Sequence, residues 1–195
     1  MLTAKLSRLF LALALTAAPF LESGCTAAQV ASAAQNTAVV IGKTIALAQA
    51  ELPALQATGL FSAAEGTVIA GYLTTAANLD GQLVSCNTAA TAAGSKKAAF
   101  LSCVTIFATG LANPAELTAL RVINPKAQAK VLEWLGVVTL SVNLVVTLAG
   151  GTAVPAPVIG TTPAPAASAL RPLAIRAGVS ARDFDRAVEV THYGK

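Results

Sequence analysis

Between residues 27 and 149 hydrophobic positions return every three or four residues, the period of amphipathic helices packed on a shared core. Val30, Ala34, Val40, Ile41, Ile45, Ala48 and Leu52 form the first stripe. Pro53 is predicted to end that helix, because proline lacks an N–H and biases the residue before it away from α. A turn containing Gly59 should follow over 53–61. Ser62-Ala63-Ala64-Glu65 then reads as a capping box, the serine oxygen accepting from the Glu65 N–H while the Glu65 carboxylate reaches back. The helix it opens should run to about Ala93, with Val68, Ile69, Tyr72, Leu73, Ala76, Leu79 and Leu83 on its apolar side and Gly94 at the left-handed position that ends it. A third helix is predicted from about Lys96 to Leu111, presenting Phe100, Cys103, Val104, Phe107 and Leu111.

Asn113-Pro114 and Asn124-Pro125 each set an asparagine cap ahead of a proline at the first helical position. They predict a short helix over Pro114–Val122 and a longer one from Pro125. Within the latter, Leu140, Val142, Leu144, Val146 and Leu148 alternate as a strand would. No breaker separates them from Pro125, however, and the only strand partner in sequence, 154–159, holds Pro155 and Pro157. Helix is therefore the expectation for Val137–Leu148, with Asn143 either a buried polar group that sets register or an exposed one. The fold class predicted is all-α: a mainly antiparallel bundle of about four helices, followed by a Pro/Ala-rich linker and a short helical tail. The domain reading is a signal peptide over 1–24, a bundle over 25–151, a Pro/Ala/Gly/Thr-rich linker over 152–169 and a basic tail over 170–195. Ser180-Ala181-Arg182-Asp183 can cap a short helix in that tail.

Composition narrows the core. Hydrophobic residues make up 55% and charged residues 11%, against about 25% charged in an ordinary domain. Aromatics are only 5%, so Ala, Val, Leu and Ile must fill the interior. A net charge of +4 lacks the dense basic face that nucleic-acid binding needs.

The first residues form a separate signal. Lys5 and Arg8 precede an apolar run, Leu9 to Ala18, too short for the roughly 20 residues of a membrane-spanning helix. A basic segment, a short apolar segment and small residues near a processing point make a secretory signal peptide. Ser23-Gly24-Cys25 resembles a bacterial lipoprotein signal, in which a leucine and two small residues precede a cysteine that becomes the lipidated N-terminus. Glu22 occupies the leucine position and Leu21 stands one place early. The resemblance, confined to the leader, implies lipidation of Cys25, a membrane partner through that lipid, and a location on the periplasmic face or cell surface. An ordinary cleaved signal, cut after Ala28, and an uncleaved anchor are the alternatives.

Cys86 and Cys103 remain for the body. Each stands eight residues from the turn at Gly94-Ser95, so in an antiparallel hairpin they should lie at the same height and facing the core. A disulfide between them is predicted, and an exported protein meets the oxidising compartment it needs.

Catalytic chemistry has little to build on. His192 is the sole histidine and lies in the tail. Glu51, Glu65, Asp80, Glu116 and Glu133 are isolated along the chain, with Glu65 and Glu116 assigned to caps. No phosphate-binding loop or metal-ligand spacing occurs, so no enzyme, cofactor or metal is expected. The expected function is an exported, lipid-anchored bundle of the bacterial envelope with a structural or protein-interaction role, its tail projecting towards an envelope partner. The alternatives are a carrier of a small apolar ligand between Ala-rich helices and a membrane-inserting protein built on Val137–Ala149. Glycine and alanine gathered at one interior level would favour the carrier, and tight filling by leucine and phenylalanine the interaction protein.

Overall fold

The computed structural model describes residues 25–94, 96–111, 122, 124–155, 157, 159 and 165–193. The expected leader, the short helix after Pro114 apart from Val122, and linker residues 156, 158 and 160–164 lie outside the described residues. The extended elements among those described are all helices: α1 (Ala27–Ala57), α2 (Ala63–Ala92), α3 (Lys97–Leu111), α4 (Pro125–Leu148), α5 (Ala167–Arg176) and α6 (Ala181–Tyr193).

Local chemistry sets the boundaries. Ser62 and Glu65 exchange the two bonds of the capping box at 3.2 and 2.9 Å. Thr26 and Gln29 make the same pair at the start of α1, at 3.3 and 2.8 Å. The Asn124 side chain accepts from the Lys126 N–H at 3.0 Å, with Pro125 at the first helical position. Gly94 takes φ +93°, the left-handed conformation its place after α2 requires.

The first four helices form an up-down-up-down bundle. α1 packs on α2 and α4, and α3 packs on the same two, each adjoining pair antiparallel. Polar side chains bond across three seams. Asn87 on α2 donates to the Ala34 carbonyl of α1 at 3.1 Å, and Thr37 on α1 donates to the Ser141 carbonyl of α4 at 3.1 Å. The Tyr72 hydroxyl donates to the Leu111 carbonyl at 2.8 Å, joining α2 to the end of α3. Cys86 and Cys103 are disulfide-bonded with Cα atoms 5.7 Å apart, as counting outward from the turn predicts.

Val137–Leu148 is helical. Val138, Val142, Val145 and Val146 enter the core, whereas Leu140, Leu144 and Leu148 rise on a half-buried face. Asn143 is buried, and both ends of its amide grip the backbone of Val154, at 3.0 and 2.7 Å, which folds the chain back after Gly151. α1 and α4 are long and apolar enough to cross a membrane; two thirds of the α4 apolar window is buried inside the bundle, as befits a core helix.

Four expectations need correction. α1 does not stop at Pro53 but continues to Ala57. The bond that Pro53 forgoes is to the Gln49 carbonyl, and both residues face solvent, while Leu52 and Leu55 on either side hold the helix to the core. Val68 is exposed, because its neighbour Ile69 takes the inward direction and successive residues point about 100° apart. The tail does not project: Leu170, Leu173 and Ala174 of α5, with Phe184 and Ala187 of α6, are buried, mainly against α4. Gly136 on α4 permits this docking, since a Cβ there would meet Leu170 Cδ1 at 2.8 Å. α5 also begins at Ala167, inside the stretch expected to be linker, and α6 starts from the foreseen Ser180–Asp183 cap at 3.1 Å.

The disulfide makes a stability prediction. The Cys86→Ser/Cys103→Ser double variant should lose about 3 kcal/mol in equilibrium denaturant unfolding. Reductant should produce the same loss in the parent protein and none in the variant.

Candidate functional site

Cys25 stands directly before the Thr26 cap, half-buried and with a free thiol. Its Sγ lies 4.0 Å from a guanidinium nitrogen of Arg186 on α6, so the chain entering the bundle meets the last helix. The two border an apolar cleft of about 460 Å³, within the range of about 300–1,000 Å³ typical of small-molecule sites.

Three walls make the cleft. α4 contributes Val137 and the ladder Leu140, Leu144 and Leu148, one leucine per turn. α1 contributes Gln29, Ala33, Asn36 and Val40, a face that places alanine and valine beside two amides. The tail contributes Ala174 and Ala177, the buried ring of Phe184, and Ala187. Ala33 on one wall and Ala174, Ala177 and Ala187 on another leave space facing the leucines, which the Phe184 ring and Val40 fill only in part. The polar side chains Gln29, Asn36, Ser180, Asp183 and Arg186 give the cleft a partly charged border. Ser180 is held by Asp183 at 2.6 Å, whereas Arg186 makes no ion pair among the described residues.

Cys86 and Cys103 lie on the α2–α3 seam and do not reach this cleft, so the cysteines divide into a staple and a cleft-side thiol. The acids are less isolated than their spacing implies. Glu51 accepts from Lys130 at 3.1 Å, from the Trp134 indole at 3.3 Å and from Arg176 at 2.8 Å. Lys130 also holds Glu133 at 2.9 Å and sits 5.6 Å from the Trp134 ring centre. Burial pushes the Glu51 carboxyl up, but the Lys130 bond and charge, with the Arg176 and Trp134 bonds, bring it below the usual glutamate value. This cluster clamps α1, α4 and α5 together; it lines no part of the cleft. Among the described residues no three of His, Cys, Asp and Glu gather as metal ligands would. The His192 side chain lies outside them.

Asp80 is a second unusual carboxylate. It faces Gly42 across the α1–α2 seam, where a Cβ would come within 2.9 Å of its Oδ2, and its buried Oδ1 has no partner among the described residues. Burial raises its pKa to about 6. Neither it nor Gly42 borders the cleft, which makes it a packing compromise rather than part of a site.

Sequence reasoning missed the cleft and the Glu51 clamp. The Leu140–Leu144–Leu148 spacing of four, and the alanines of the tail at 174, 177 and 187, carry the signal for the cleft. Both are informative only once α5 and α6 are known to fold back. No family model, curated protein or solved structure matches this chain.

Asp80 predicts an acid-side gain in stability. A carboxyl whose folded pKa is raised contributes stability present in full below its unfolded value and lost as pH rises through the folded value. For Asp80 that window runs from about 3.8 to about 6. Glu51 acts oppositely, losing its contribution as pH falls below the usual glutamate range. Asp80→Asn should raise the thermal midpoint at pH 7.5 and flatten the Asp80 part of the profile, as scanning calorimetry from pH 4 to 8 would show.

Proposed function

We propose that this chain is an exported, lipid-anchored helical-bundle protein of the bacterial envelope, non-catalytic, with a structural or protein-interaction role. The observation that carries this reading is the Cys86–Cys103 disulfide, a bond that persists in compartments beyond the reducing cytosol. The position of Cys25 agrees with it. If the resemblance of Ser23-Gly24-Cys25 to a lipoprotein signal holds, the mature chain starts one residue before the Thr26–Gln29 capping box. The lipid would then tether the bundle at the N-terminus of α1. With α5 and α6 folded back, partner contact falls to exposed apolar side chains such as Ile106 and Val84 rather than to a projecting tail.

A second reading, a carrier of a small apolar ligand, is favoured by one observation. The alanines 33, 174, 177 and 187 gather in one cleft between helices. The two readings are compatible, since a tethered bundle can also hold a ligand.

Cell fractionation tests the first reading. The parent protein should sediment with membranes and resist salt extraction, because stable attachment needs more than a single acyl chain. Cys25→Ala should move most of it out of the lipid-anchored fraction. Equal membrane association of both forms would refute the anchor.

A further inference from the structure

The geometry points to the cleft beside Cys25 as an acyl-chain site, which takes one hydrocarbon chain along the Leu140–Leu144–Leu148 ladder with its polar head at Arg186. This rests on the carrier reading and names its ligand class. Three observations carry it. The ladder runs over nine residues of α4, eight rises or about 12 Å of helix, and presents branched aliphatic side chains on successive turns, a surface suited to a linear apolar chain. Ala33, Ala177 and Ala187 keep the opposing walls low, so the volume of about 460 Å³ is continuous with the ladder. At the border the Arg186 guanidinium is exposed, outside any ion pair among the described residues and in contact only with the Cys25 sulfur at 4.0 Å, and it is the cation that lines the cleft. Such a cation beside an apolar cleft complements an anionic or ester head on an apolar chain. Asp183, the acid on the same border, is occupied by Ser180 at 2.6 Å.

One chemistry has two sources here. The Cys25 thiol lies 4.0 Å from Arg186 and itself borders the cleft, so a lipid carried on that sulfur would start at the entrance. A free long-chain carboxylate would place its head at the same guanidinium.

The test uses the full chain, parent and Cys25→Ala, with anilinonaphthalene sulfonate as reporter and hexadecanoate as competitor. The reporter should bind Cys25→Ala at one site and hexadecanoate should displace it. Ala33→Phe should abolish hexadecanoate binding, with Leu144→Trp on the facing wall as a second block should the first disturb folding. Arg186→Gln should weaken hexadecanoate roughly three-fold, the scale of an exposed ion pair, and leave hexadecanol unchanged. If the native parent carries a lipid on Cys25 and refuses hexadecanoate while Cys25→Ala accepts it, the occupant is the chain's own lipid. If both accept it, the occupant is a free amphiphile. Reporter bound but not displaced by hexadecanoate overturns the acyl-chain site and leaves the carrier reading standing. No reporter binding in Cys25→Ala overturns both, and hexadecanoate binding unaffected by either block overturns the assignment to this cleft.

Discussion

A core with one tryptophan, four phenylalanines (Phe61, Phe100, Phe107 and Phe184) and otherwise mostly alanine, valine and leucine can be filled only if helix backbones come close together. That close approach governs the rest of the structure. It brings backbone carbonyls within reach of short side chains on neighbouring helices, so Asn87 and Thr37 can each bond across a seam, while the longer Tyr72 reaches the end of α3. Such bonds fix the sliding register of helices whose small side chains interlock weakly. The Cys86–Cys103 bond does the same covalently on the α2–α3 seam. Close approach has a cost at Asp80, which faces Gly42 half-buried with its Oδ1 enclosed and without a partner among the described residues.

The same small residues behave differently where a third layer is added. α5 and α6 return over α4, seated by Leu170 on Gly136 and by Arg176 on Glu51. Around Glu51 the layers are held by charge and by the Trp134 indole. Towards Cys25 the tail lines the cleft with Ala174, Ala177 and Ala187 beside the buried Phe184 ring, and the alanines leave part of the leucine ladder uncovered. The cleft is what remains when an alanine-rich layer closes over leucines spaced one turn apart. Its position beside Cys25 joins the proposed anchor to the proposed ligand site.

Much of the fold was legible in the sequence, because its signals are local. The Ser62 box, the Asn124-Pro125 start and Gly94 act within a few residues, and the symmetric placing of Cys86 and Cys103 about the turn follows from helix geometry alone. Pro53 misled because its effect depends on where the lost bond points: facing water, it leaves α1 intact. The tail misled because its prolines and charges suggest solvent, while the surface that receives it, Gly136 on α4, is 34 residues before Leu170 in sequence. The cleft depends on that same long-range contact and so was not legible. Cys25 was singled out from its leader, but its neighbour Arg186 is 161 residues away.

The Cys86–Cys103 staple and the processing and lipidation proposed at Cys25 each change the mass of the chain. The intact mass of protein isolated from its native cells without reductant tests all of this in a single measurement. The expected mass is that of residues 25–195, heavier by the acyl lipid and lighter by two hydrogens for the disulfide. A mass matching the unmodified chain from Met1, with all three cysteines open to alkylation, would contradict it.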